Sequence, residues 1–223
     1  MLEAPQLVTN SRMLYFTWVP ADVDAVRQLV PDALDLAENG QVFMNQYVVD
    51  TEEQTSGFAP YSLTYLGADL SGQDTPDDAV PGRWWTHYYN SNADMRDYVS
   101  IRGVPATPGE TVLEVADGVL TATTSADGVE IIRSTATVGE VAVPGRGQLR
   151  YITDVDGTLT SGLYPFVAGL VQPWEVTKLE FLEPDHPVSA LRPAEPLEVT
   201  WGFYSPNSSF CYPGGEGPID QMP

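Results

Sequence analysis

Apolar positions in this chain cluster in short runs separated by Gly, Pro, Asp and Asn, and most runs have the length of a strand rather than of a helix. Met13 to Val19 (MLYFTWV) is apolar and aromatic, and Val42 to Val49, Tyr61 to Leu70 and Trp84 to Tyr89 follow it. Only two stretches repeat at helical spacing. After Pro20, Asp22 is a natural N-cap for a helix with Val23, Val26, Leu29 and Val30 on one face, ended by Pro31. A second short helix is predicted after the strand at 84–89, capped near Ser91 or Asn92 and followed by a Gly-Val-Pro turn at 103–105.

Beyond that turn the rhythm is strictly that of strands. Thr111 to Val115, Val119 to Thr124 and Glu130 to Val143 are divided by Asp-Gly pairs at 117–118 and 127–128, and Leu149 to Asp154 and Leu159 to Tyr164 flank a third at 156–157. Thr177 to Leu182 and Leu197 to Phe203 are the last predicted strands, on either side of a Pro-rich stretch at 184–196. Residues 1–12 read as an arm, 50–60 as a polar loop over a pocket, 71–82 as a hairpin excursion, and the tail from about Ser205 as irregular. No repeat or linker interrupts the pattern. The expected architecture is one domain over 1–223, mostly β (α+β): a large antiparallel β-barrel or curved sheet around a central cavity, with a few short helices.

Composition narrows the function classes. A net charge of −21 repels nucleic acid and anionic membrane surfaces, so neither is an expected partner. The acids are dispersed, as on a solvated surface, and suggest a salty cytoplasm. No run is long enough for a membrane-spanning helix, and Met1 to Pro5 lacks a leader's basic and apolar regions, so a cytoplasmic location is expected. A single cysteine, Cys211, excludes an internal disulfide, and it is expected to pack under the tail. With His87 and His186 far apart in sequence, neither a metal nor a cofactor is expected.

The order of these elements is similar to that of acetoacetate decarboxylase. From Arg12 to Pro31 the shared features are an arginine, an aromatic strand and a helix of the form D-x-D-A-x-R, here Asp22, Asp24, Ala25 and Arg27. The similarity continues through Pro60-Tyr61, the Gly-Val-Pro turn and the run from Asp117 to Gly139, and returns around PWEVTKLEF at 173–181. It implies the decarboxylase-like fold, a small-molecule substrate and a homo-oligomer. It also implies that Arg12 stands where the family has its substrate-facing arginine. The departures carry as much information. The positions after the turn, where the family has its Schiff-base lysine and the lysine beside it, read Ala106 and Thr107; the family's pocket glutamates read Leu63 and Asn45; and its Gly-Arg-Glu reads Tyr98-Val99-Ser100. An imine needs a deprotonated lysine. The resemblance therefore implies a decarboxylase-like pocket that has lost covalent catalysis.

The residues left for chemistry are few. Arg12 is either a bidentate clamp for a carboxylate or enolate, or a surface arginine at a strand start. In an unbroken strand Trp85, His87 and Tyr89 share one face, and His87 among aromatics is either a general acid–base or a hydrogen-bonded structural residue. Asn45 and Tyr61 are expected to offer neutral hydrogen bonds to a carbonyl. Arg102 either adds a second positive group or faces solvent, and His186 is expected on a loop. Arg12 and His87 are thus the expected catalytic pair, with Asn45, Tyr61, Trp85, Tyr89 and Arg102 binding substrate. The expected activity is a non-covalent lyase, isomerase, dehydratase or cyclase step on a β-keto, enolisable or polyketide-like molecule, as in secondary metabolism. The alternative is a non-catalytic small-molecule binding protein on the same fold.

Overall fold

The computed structural model describes residues 2–76 and 80–221. Its elements, in chain order, begin with β1 (Gln6–Trp18), α1 (Val23–Arg27), β2 (Asp35–Leu36), β3 (Val42–Val49), β4 (Tyr61–Ser71) and β5 (Arg83–Asn90). Next come α2 (Ala93–Ser100), β6 (Ala106–Pro108), β7 (Glu110–Ala116) and β8 (Val119–Ala126). The chain ends with β9 (Val129–Val155), β10 (Thr158–Phe181), β11 (Val199–Tyr212) and β12 (Gly217–Pro218). The fold is mostly β, one 12-stranded sheet curved into a ring without forming a regular barrel.

Local chemistry sets the boundaries of the short elements. Asp22 accepts from the Ala25 amide and caps α1, and Asn92 accepts from the Met95 amide and caps α2. α1 is shorter than the run to Pro31 predicted from its apolar spacing, ending at Arg27 in a turn. Asp117, Asp127 and Asp156 take positive φ, each followed by a positive-φ glycine, so the three Asp-Gly pairs are hairpin turns as the sequence predicts. The expected excursion at 71–82 is described only in part, because residues 77–79 lie outside the described residues.

Three long-range features depart from the sequence reading. The sheet is mixed: β5 runs parallel to β6 and to residues 151–152 of β9. β9 and β10 form one long hairpin, in which Pro144 lies opposite Gly169 and the strand continues through it. Finally, the predicted arm and irregular tail pair with each other, Gln6 with Tyr212 and Val8 with Phe210, so β1 and β11 extend through both. Backbone pairing between distant segments decides this, and the polar composition of Ser205–Ser209 hides it.

The ring closes through β9, which pairs with both β5 and β10, while β10 pairs with β11 and β11 with β1. Inside the ring β3, β4 and the part of β1 from Met13 to Trp18 are buried on both faces and alternate strictly. Leu14, Phe16, Val42, Met44, Leu66 and Ala68 turn to a core shared with β8 and β9. Tyr15, Phe43, Tyr47, Leu63 and Tyr65 turn to a second, aromatic core shared with α2 and β11.

Candidate functional site

The aromatic core surrounds a cavity of about 40 Å³, room for about three waters at 10–15 Å³ each. Met13 and Tyr15 of β1, Asn45 and Tyr47 of β3, Tyr65 of β4 and Trp85 of β5 form one wall. Leu149 and Tyr151 of β9, Tyr164 and Phe166 of β10, and Phe203, Phe210 and Tyr212 of β11 form the other. Tyr164, Phe166 and Phe210 are half-buried and mark its mouth. No charged side chain lines the cavity among the described residues.

Hydrogen bonds thread the wall. Asn45 donates through Nδ2 to the Tyr65 hydroxyl at 2.8 Å; the Tyr65 hydroxyl meets that of Tyr151 at 2.9 Å, and Tyr151 meets that of Tyr15 at 3.2 Å. A second group joins Tyr47 to Tyr61 at 3.0 Å and to Tyr212 at 2.9 Å. Asn45 Oδ1 is buried and has no partner among the described residues. Most rings pack edge-on or stacked, with Trp85 lying flat on Tyr151 at 4.2 Å. Burial pushes the phenols of Tyr47, Tyr61, Tyr65 and Tyr151 well above their ordinary value, so all four are protonated donors at neutral pH.

Arg83, at the start of β5, is fully buried behind this wall. It pairs with Asp69 of β4 and lies over the rings of Tyr15 and Phe43 at 5.1 and 5.2 Å. Its positive charge works against burial at the Tyr15 and Tyr151 phenols. The sequence reading missed Arg83, Tyr15, Tyr65 and Tyr151 as a group. Tyr65 and Tyr15 do sit at the alternate positions that Asn45 and Tyr61 mark out, so the period of the strands was the available signal.

Of the expected site residues, Asn45 and Trp85 line the cavity, and Tyr61 stands just behind Tyr47. The others lie elsewhere. Arg12 projects from the opposite face of β1, where it forks onto Asp50 at 2.6 and 2.9 Å and donates to the Leu113 carbonyl of β7. A β-bulge explains the position of His87. Leu66 opposes His87 while Gly67 opposes Trp85, which leaves Thr86 as the extra residue and flips the alternation of β5. Trp85 and Tyr88 therefore share the aromatic core, and His87 and Tyr89 turn to a separate cleft with Thr86, Pro105, Thr107, Asp127 and His186. There His87 Nδ1 lies 3.0 Å from the Thr86 hydroxyl, and burial, then His186, pushes the imidazole down to about 4. His186 caps a short 3-10 helix at Pro187–Leu191 by accepting from the Val188 amide. Arg102 lies over the ring of Tyr98 at 3.9 Å, donates to the Tyr98 carbonyl and approaches Glu216 at 3.6 Å.

Lys178 lies on β10, 62% exposed and paired with Glu180 at 2.7 Å. Ala106 opposes Tyr88 on β6 and packs against the aromatic core. No group of three or more His, Cys, Asp or Glu side chains among the described residues is placed to hold a metal ion.

No family model and no curated protein matches the chain. Solved structures do. Acetoacetate decarboxylase from Legionella pneumophila superposes with a TM-score of 0.66 at 16% identity, covering 94% of this chain and 85% of that one. The enduracididine biosynthesis enzyme MppR complexed with pyruvate gives 0.66 at 13% identity, over 98% of this chain and 91% of that one. An acetoacetate decarboxylase-like enzyme from Sphingomonas wittichii RW1 gives 0.60 at 15% identity, over 95% and 91%. At such identities the likeness concerns architecture: the chain has the acetoacetate decarboxylase-like fold.

Proposed function

We propose that this chain is an enzyme acting without a covalent intermediate on a β-keto, enolisable or polyketide-like small molecule whose carbonyl end enters the aromatic cavity at the mouth formed by Tyr164, Phe166 and Phe210. The step is of the lyase, isomerase, dehydratase or cyclase kind, such as secondary metabolism uses. The observation that carries this reading is the wall of neutral hydrogen-bonding groups, Asn45 with its unpartnered Oδ1 and the Tyr65–Tyr151–Tyr15 chain, inside a cavity without charged lining. Fixed donors in a dry site stabilise charge developing on a carbonyl oxygen as an enol forms, without reorganising at the moment of reaction. Imine chemistry is a poor fit, since the chain's single lysine is exposed and ion-paired. The fold neighbours support a carbonyl ligand: one is a decarboxylase of acetoacetate and another was captured with pyruvate.

In this reading the cavity groups polarise the substrate and Trp85 provides a flat surface. Arg12, tied to Asp50 and to the edge of β7, and His87, in the second cleft, do structural work. Tyr89 and Arg102 likewise support the walls from outside. We assign the protein to the cytoplasm; among the described residues no helix is long and apolar enough to cross a membrane. We also assign a homo-oligomer, through the apolar positions Val141, Val143 and Val167 that the β9–β10 hairpin exposes.

One observation favours the alternative, a non-catalytic binding protein. Burial pushes the phenols of the cavity wall upward, so they donate protons poorly at neutral pH. Incubation with a panel of β-keto esters and β-diketones in deuterated water, followed by NMR, separates the two. An enzyme exchanges α-protons or converts the compound faster than buffer does, and Asn45→Leu lowers that rate at least about tenfold. Saturable binding with no exchange and no product means a binding protein.

A further inference from the structure

Resting on the reading that the aromatic cavity is the ligand site, we infer that it selects uncharged ligands carrying a hydrogen-bond acceptor and a donor side by side, such as an enolised 1,3-dicarbonyl or a hydroxy ketone, over keto acids of the same size. Two independent features lead there.

The first is the charge balance around the cavity. A carboxylate loses its hydration on entering and needs a cation or several donors in return. Arg83 is the nearest buried cation; its Nε is paired with Asp69 at 2.9 Å, its Nη1 has no partner among the described residues, and it lies behind the rings of Tyr15 and Phe43 rather than on the cavity wall. Arg12 is held by Asp50 on the far face of β1, and Arg102 by Tyr98 and Glu216. None of these arginines lines the cavity.

The second is a count of protons. The hydroxyls of Tyr15, Tyr65 and Tyr151 carry three protons but share two contacts among themselves, so one proton is left to donate outside the chain. Tyr65 accepts from Asn45 Nδ2, which leaves that surplus in place. Asn45 Oδ1, buried at the other side of the same amide, is an acceptor in need of a donor. Trp85 Nε1, on the same wall and also buried without a partner among the described residues, adds a further donor, so the wall offers neutral donors beside one acceptor and no net charge. Released from its internal O–H···O hydrogen bond, the enol of a 1,3-dicarbonyl presents the complementary pair, a carbonyl oxygen and a hydroxyl, whereas a carboxylate presents acceptors alone and leaves Asn45 Oδ1 facing negative charge.

Acetylacetone and acetoacetate test this directly, because near neutral pH they differ by a methyl group in place of a charged oxygen. Both are titrated by calorimetry into the wild-type protein, Asn45→Leu and Tyr65→Phe, with circular dichroism confirming that each variant is folded. We expect saturable acetylacetone binding, acetoacetate at least about tenfold weaker, and an approximately tenfold loss for acetylacetone in folded Asn45→Leu. Tyr65→Phe, which leaves Tyr15 and Tyr151 with two protons and one contact, keeps the surplus donor and should bind within a few-fold of wild type. Acetoacetate binding as tightly as acetylacetone would point to Arg83 as an anion partner and overturn the inference. So would an absence of saturable acetylacetone binding, or unchanged affinity in a folded Asn45→Leu protein. The wild-type comparison stands even where a variant fails to fold. Turnover is not the readout: a protein that binds acetylacetone selectively yet converts nothing sinks the catalytic reading and leaves the selectivity intact.

Discussion

Arg83 donates through Nε to Asp69 Oδ1 at 2.9 Å, with 2% and 1% of the two side chains exposed. The pair joins the edge of the aromatic core to β4, and Gln41 takes the second carboxylate oxygen. Removing one partner leaves the other charged and buried. We expect Arg83→Met to cost roughly 3–5 kcal/mol, and Asp69→Leu added to it to restore much of the loss, since an apolar pair needs no compensating charge. Urea unfolding of the two variants against wild type checks this; equal stability of the single and double variants would refute it.

That pair also marks the limit of what the sequence discloses. Caps at Asp22 and Asn92 and the Asp-Gly turns are local, each written in a few neighbouring residues, and they are readable without coordinates. The strand period places Asn45, and by extension Tyr65, toward one interior. Nothing local says that Asp69 meets Arg83, or that Tyr15 meets Tyr151 across 136 positions of sequence. The bulge at Thr86 is equally invisible, because an inserted residue in WWTHYY leaves the apolar pattern unaltered while reversing which of Trp85, His87 and Tyr89 face the cavity.

The buried phenols make the protein sensitive to alkali. Tyr47, Tyr61, Tyr65 and Tyr151 are held above the ordinary value of 10.0, first by desolvation. In the unfolded chain they ionise near that value, so the folded state binds more protons once the pH exceeds it. Their contribution is complete below about pH 10 and is lost as pH rises further. The melting temperature should hold through mildly alkaline pH and fall above about 10, with phenolate absorbance appearing together with unfolding rather than before it. Phenolate absorbance from these four residues in the still-folded protein near pH 10 would contradict the burial argument.

His87 works at the acid end. Its imidazole ionises near 4 in the fold against 6.5 in the open chain, with burial as the main cause and the neighbouring His186 adding to it. Between those values the unfolded chain binds a proton that the fold excludes, so stability falls as pH drops from about 6.5 to 4. The loss from this one group is roughly 2–3 kcal/mol. His87→Gln, which carries no charge at any of these pH values, should flatten that part of the stability curve relative to wild type, while the carboxylates contribute equally to both. Parallel curves would remove His87 from the acid response.

Charge of one sign acts over the whole surface. At −21 the folded chain repels itself, and salt shortens the reach of that repulsion from about 10 Å at 0.1 M to about 3 Å at 1 M. The melting temperature should therefore rise with potassium chloride. A flat response would remove the suggestion that the acidity is an adaptation to salt.

Gly67 is the position on which the bulge in β5 depends. A Cβ placed there would stand 1.8 Å from the Trp84 carbonyl oxygen and 2.8 Å from the Phe43 ring. The first contact is with backbone, so no rotamer change relieves it; β4 and β5 must separate at the register shift that turns Trp85 and Tyr88 together into the aromatic core. We expect Gly67→Ala to destabilise the fold by more than the roughly 1 kcal/mol typical of point substitutions, and to reach the cavity as well as the strand pair. Trp85 reports on the second effect through its stacking on Tyr151 at 4.2 Å. In a folded Gly67→Ala protein the near-ultraviolet circular dichroism of the aromatic cluster should weaken and acetylacetone affinity should fall. Gly118→Ala, whose Cβ meets nothing nearer than 3.5 Å, serves as the control for turn strain far from the cavity, and it should lower stability while leaving the aromatic signal unchanged. If both substitutions changed stability and aromatic signal alike, the bulge would not be what orients the cavity wall.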